Sequence, residues 1–147
     1  MAYCTRQDIG REIGATDLAQ TTDDVNGTTP DDTIINDKIA ESTITINDYL
    51  RSRYALPITD TETLATLRAF CTTLTACKLY DRRLKMKMPE ALLKTQEGVM
   101  KELEKIQQGR RKLSAQGAGE HGKRPGFYRS NATARCEVFS EERLSQY

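Results

Sequence analysis

The sequence predicts an all-α protein: a small bundle of about four helices around a long central one, followed by an extended C-terminal arm. Three observations predict it. Apolar residues recur at three- and four-residue spacing over long stretches, a helix-start signal stands before each stretch, and Gly or Pro stands after it. Beyond Leu113 the periodicity stops, and residues 114–131 hold four Gly, one Pro and several basic side chains. That composition suits a flexible linker. The chain therefore divides into a helical body, residues 1–113, and a basic linker with a partner-binding arm, residues 114–147.

The elements follow in order. Thr5 stands three residues before Asp8, the spacing of a capping box, and Cys4 and Ile9 flank it in staple positions. A helix from about Arg6 to Ile13 follows, with Gly14 as its stop. Thr16 caps a single further turn, Asp17 to Gln20. Residues 21–30 are a loop by composition. Thr29 is the expected cap of a second long helix, with Pro30 in its first turn and Asp31 and Asp32 at its positive end. Ile35, Ile39, Ile46 and Leu50 recur along it, with Tyr54 one turn further. Pro57 requires it to end before Leu56.

Thr59-Asp-Thr-Glu62 reads as a full capping box. The helix it opens is expected to run to about Lys85, roughly 40 Å at ~1.5 Å per residue. Leu64, Leu67, Cys71, Leu74 and Leu84 form its stripe, widened by Phe70 and Cys77. The core-packing set expected from it is Leu64, Leu67, Phe70, Cys71 and Leu74. So broad an apolar face implies contacts on more than one side. Six threonines lower its intrinsic helicity, so packing must hold it. Pro89 opens a last helix over about 89–108, with Leu92, Val99, Leu103 and Ile106 on one face and Gly109 as its stop.

Composition bounds the core. In 147 residues, 37% are hydrophobic, 29% are charged and none is Trp. A core this thin often gains stability from oligomerisation. The net charge is +1, but residues 1–60 carry five Lys/Arg against eleven Asp/Glu, while residues 108–147 carry eight against four. Such polarity suits head-to-tail stacking, and equally a set of solvated helix faces. Cys4, Cys71, Cys77 and Cys136 match no zinc spacing and read as small core residues in a reducing compartment. Neither a signal peptide nor an apolar run of about 20 residues is present, so the chain is expected to be made in the cytosol with no membrane partner.

A search for chemistry returns little. The single histidine, His121, lies in Gly-Glu-His-Gly within the expected linker, where a catalytic base would have no fixed geometry. No nucleotide-binding, nucleophile-elbow or metalloprotease motif occurs. In a calcium-loop alignment on Gly27, Thr22 and Thr33 fall where carboxylates are needed, so an acidic turn explains the segment better. The expectation is no catalytic residue, no metal and no cofactor. Arg82, Arg83, Lys85 and Lys87 form the densest basic patch. They suit contact with phosphates or a DNA channel, and also a helix C-terminus that favours cations. In the arm, Val138, Phe139, Leu144 and Tyr147 suit burial against a partner.

Several segments together resemble one family: Tyr3-Cys4-Thr5 with Asp8, Thr22-Asp23-Asp24 running to Asn26-Gly27, Ile46-Asn-Asp-Tyr-Leu-Arg-Ser-Arg-Tyr-Ala-Leu-Pro57, and Val138-Phe-Ser-Glu-Glu-Arg-Leu144. The resemblance is to the Mu-like prophage neck protein family. Its most specific part is Ile46 to Pro57, where Asn47 stands in place of the family's Asp. The resemblance implies a head–tail connector, also called an adaptor or head completion protein, in the neck of a tailed phage virion assembled in the host cytoplasm. It implies a ring of copies, usually dodecameric, on the portal protein. That ring extends the channel for genomic DNA and docks another neck or tail-terminator protein. It also implies that the C-terminal arm grips the portal, through Val138, Phe139, Leu144 and Tyr147. The alternative reading is a helical nucleic-acid-binding module using the basic arm.

Overall fold

A computed structural model describes residues 2–83 and 86–114 of the chain. Leu84, Lys85, His121, Cys136 and the arm residues Val138, Phe139, Leu144 and Tyr147 lie outside these residues. The described residues form five helices and no strand: α1 (Arg6–Ile13), α2 (Ala15–Thr22), α3 (Asp32–Leu50), α4 (Thr61–Arg82) and α5 (Glu90–Gln107).

The start of α1 is the expected capping box. The Thr5 N–H donates to the Asp8 carboxylate at 2.9 Å, and the Asp8 N–H donates to the Thr5 hydroxyl at 3.4 Å. Gly14, at φ 85°, ends α1 and begins α2. The expected single turn capped by Thr16 is corrected here to a full helix without a side-chain cap. In its last turn Thr21 and Thr22, both fully buried, return their hydroxyls to the Leu18 carbonyl at 3.0 and 2.7 Å. Two polar side chains thereby become acceptable in the core.

Two expected caps are displaced for one reason. The cap of α3 is Asp31, whose carboxylate accepts the Thr33 N–H at 2.8 Å, rather than Thr29. The cap of α4 is Asp60, which accepts both the Thr63 N–H at 2.9 Å and the Thr63 hydroxyl at 2.6 Å, rather than Thr59. Where a carboxylate and a hydroxyl stand within two residues, the charged acceptor makes the stronger bond to the exposed N–H groups. The helix ends also move. α3 stops at Leu50, whose carbonyl takes both the Arg53 and Tyr54 N–H groups at 2.9 Å. This tight turn swings Tyr54 into the core. α4 stops at Arg82, because Arg83 adopts φ −101° and ψ 89°. Pro89 is the N-cap of α5, one residue ahead of its expected place inside the first turn.

α4 packs against all four other helices, and α3 also packs against α5 and α1. Leu67, Cys71 and Leu74 are buried as expected, whereas Leu64 and Phe70 lie partly covered at the edge of the core. Thr63, Thr72, Thr73, Thr75 and Leu79 are buried too. The breadth of the α4 face is thus taken up by helices of the same chain. Each fully buried Leu or Ile there contributes about 1.5–3 kcal/mol. The apolar faces of α3 (Ile35, Ile39, Ile46, Leu50) and α5 (Leu92, Val99, Leu103, Ile106) are buried as the spacing predicts.

Candidate functional site: the root of the C-terminal segment

Residues 108–114, which follow α5, stay on the helical body. Gly109 turns the chain at φ 76°, and Arg110 and Arg111 donate their N–H groups to the Lys105 carbonyl at 2.8 and 3.1 Å. The following residues lie back over the start of α4. The Leu113 N–H donates to the Tyr54 hydroxyl at 2.8 Å, and the Ser114 hydroxyl donates to the Glu62 carboxylate at 3.1 Å. The Arg111 guanidinium is bonded to the Glu102 carboxylate and stands 5.9 Å from the centroid of the Phe70 ring. Hydrogen bonds from Lys105 and then Arg111 hold the Glu102 carboxyl below its usual range. Phe70 thus packs on the core while the Arg111 cation lies over its ring.

Arg53 completes this root. Its Nε donates at 2.7 Å to the Gln107 carbonyl at the end of α5, a cation placed where the helix dipole favours it. Arg53 and Tyr54 both belong to the Ile46–Pro57 segment. The rest of that segment is also structural: Ile46, Leu50 and Tyr54 are buried, and Asn47 accepts the Tyr3 hydroxyl at 2.6 Å. An Asp at position 47 would accept the same hydroxyl, which explains how this chain tolerates Asn there.

A second set of polar contacts lies at the other end of α4. The Asp23 carboxylate accepts four backbone N–H groups, from Val25 (2.9 Å), Asn26 (3.1 Å), Thr28 (3.1 Å) and Thr29 (3.3 Å). These bonds hold its carboxyl well below the usual carboxylate range. Both oxygens are engaged with the chain itself, and one of them holds the Thr29 N–H in the loop. Val25 stands exposed at the loop's tip.

Arg82 and Arg83 hold this loop down. Arg82 donates to the Thr21 carbonyl at 3.2 Å and is paired with Asp24. Arg83 lies 3.1 Å from the same carboxylate and is bonded to the Asp23 carbonyl. The hydrogen bond from Arg82, more than any other influence, keeps the Asp24 carboxyl low. Of the four expected phosphate contacts, Arg82 and Arg83 thus face acidic and carbonyl groups of the chain, Lys87 is exposed, and Lys85 lies outside the described residues. Sequence reasoning missed the partners of both arginines, since loop and patch are some 60 residues apart. It also assigned no task to Arg53 or Arg111, of which only Arg53 carried a signal, its place in the Ile46–Pro57 segment, and it read Glu62 as part of a capping box rather than as the acceptor of the Ser114 hydroxyl.

The body bounded by these two sets of contacts falls within a known family. A family model described as bacteriophage Mu, Gp36 matches residues 3–130. The chain belongs to the bacteriophage Mu Gp36 family. No curated protein matches the chain. The Gp36 match covers all five helices of the described residues and the fastened root, and it ends before Val138. The likeness of Val138 to Leu144 to the neck family therefore rests on those residues alone. No helix among the described residues of this Gp36-family chain is long and apolar enough to cross a membrane.

Proposed function

We propose that this Gp36-family chain is a structural head–tail connector, an adaptor of the neck of a Mu-like phage virion, and that it is not an enzyme. The observation that carries the reading is the match to a bacteriophage family across the whole described body. In this reading, copies of the chain form a ring, dodecameric in related connectors, on the portal protein. The ring extends the channel for genomic DNA and offers its far side to another neck or tail-terminator protein. Residues 114–147 reach the portal, with Val138, Phe139, Leu144 and Tyr147 as apolar anchors.

The geometry supports this division of labour. The contacts of Tyr54, Glu62 and Glu102 give the C-terminal segment a fixed point of departure from the body. A segment with a fixed root searches a smaller volume than a free tail, which raises its effective concentration at a nearby docking site. Because α4 is covered by its own chain, contacts between copies fall to other faces. Ile44 on α3, 60% exposed, and Leu93 on α5, 42% exposed, support those two helices as the meeting faces.

The test is to mix the purified chain with the portal of its own phage and image the complex by electron microscopy. The reading expects a closed ring of the chain on one face of the portal, coaxial with its channel. The absence of any complex at micromolar concentrations of both proteins would overturn it.

A further inference from the structure

We propose that Cys4 and Cys71 form an oxidisable dithiol: a small peroxide converts them to a disulfide that fastens the non-helical residues 2–5 to α4. The two cysteines are 67 positions apart in sequence, yet the Cys4 Sγ lies 3.0 Å from the Cys71 Sγ and donates to it. Both are buried free thiols. Disulfide formation needs the sulfurs to close to ~2.05 Å, a movement of about 1 Å that side-chain rotation can supply.

The surroundings give the two sulfurs different roles. Cys71 has the Thr43 and Thr75 hydroxyls at 3.8 and 4.0 Å in addition to the Cys4 thiol. Donation from Cys4 first, then from these hydroxyls, favours its thiolate and holds it below the ordinary thiol range, while Cys4 is raised. Cys71 is thus the nucleophile and Cys4 the resolving thiol. Cys77 makes a useful contrast, because burial pushes its thiol up to about 11.

Access is through the N-terminal side. Cys4 lines a groove of about 560 Å³ between residues 2–6 and α3, walled by Ile39, Thr43 and Ile44. Residues 2–5 are held by side-chain contacts rather than by a helix ladder, so a slight parting admits a molecule the size of hydrogen peroxide.

The chemistry balances in two steps. The Cys71 thiolate attacks one peroxide oxygen, giving the sulfenic acid and releasing hydroxide. The Cys4 sulfur then attacks the Cys71 sulfur, the S–O bond breaks, and the Cys4 proton leaves with the hydroxyl as water. The two sulfurs are oxidised and one peroxide is reduced. Excess thiol reverses the bond by exchange. The pair is therefore open in a reducing cytosol and closes in oxidising surroundings. That this closure accompanies release of a virion rests on the function proposed above; the chemistry does not.

The experiment treats the full chain, first reduced and freed of reductant, with millimolar hydrogen peroxide. Intact mass, tryptic mapping with fragmentation that separates Cys71 from Cys77, and thermal melting are the readouts. The expected result is a loss of two hydrogens, a Cys4–Cys71 link, and a melting temperature several degrees higher that returns to its starting value with dithiothreitol. Cys4→Ser should instead stop at oxygen adducts on Cys71, with no rise in melting temperature. Links confined to other cysteine pairs, or thiols that stay reduced while urea-unfolded protein reacts, would overturn the proposal. The mapping on unsubstituted protein decides the matter even if Cys4→Ser folds poorly. Failure of the chain to bind a portal would leave this result unaffected.

Discussion

The backbone N–H of Leu113 donates to the hydroxyl of Tyr54 at 2.8 Å, joining the end of the helical body to the turn that follows α3. The bond ties together two segments 59 residues apart in sequence. Tyr54→Phe removes the acceptor and keeps the ring that fills the core. The expected cost is about 0.5–1.5 kcal/mol in urea unfolding. Hydrogen exchange should speed up at residues 110–114 while the amides of α4 stay protected. Unchanged exchange at Leu113 would show that the bond does not hold the root.

Gly109 and Gly98 should respond to alanine in opposite directions. Gly109 has a positive φ, and a Cβ there would come within 2.6 Å of the Arg53 guanidinium. Arg53 cannot swing aside without giving up its bond to the Gln107 carbonyl. Gly109→Ala should therefore destabilise by roughly 1–3 kcal/mol. Gly98 lies inside α5 with open space around it, so Gly98→Ala should stabilise by about 0.5–1 kcal/mol. Chemical denaturation of the two variants checks the pair, and equal shifts would contradict the root geometry.

Asp23 sets an acid limit on the loop. Its carboxyl titrates below the ordinary value of 3.8 because four N–H groups favour the charged form. A depressed folded pKa contributes stability above the unfolded value, and that stability is lost as pH falls below about 4. The amides of residues 25–29 should lose protection over that range. In Asp23→Asn, which offers one oxygen instead of two, they should be poorly protected already at neutral pH and change little on acidification. A wild-type-like pH profile in the variant would count against the four-bond arrangement.

Much of the fold is legible in the residues, and the exceptions share a cause. α1 is correctly placed because Thr5 and Asp8 serve each other and no rival stands nearby. The starts of α3 and α4 are displaced because Thr29 and Thr59 each compete with an Asp one or two positions on. Spacing reveals the wide face of α4 but not that α2 helps to cover it, since an eight-residue helix leaves a faint periodic trace. The contacts of the candidate site are long-range: Arg82 with Asp24, Leu113 with Tyr54, Ser114 with Glu62. No local pattern encodes such partners, so the basic patch was visible while its engagement with the acidic loop was not.

In the proposed function, residues 1–113 are a folded platform and residues 114–147 the portion that grips the portal. Sedimentation with the phage's own portal, comparing the full chain with a chain ended after Leu113, tests this division. The account predicts that the shortened chain keeps its helical circular dichroism and cooperative melt but no longer sediments with the portal, while the full chain does. Co-sedimentation of the shortened chain at full-length affinity would contradict the account and move the portal contact onto the helical body.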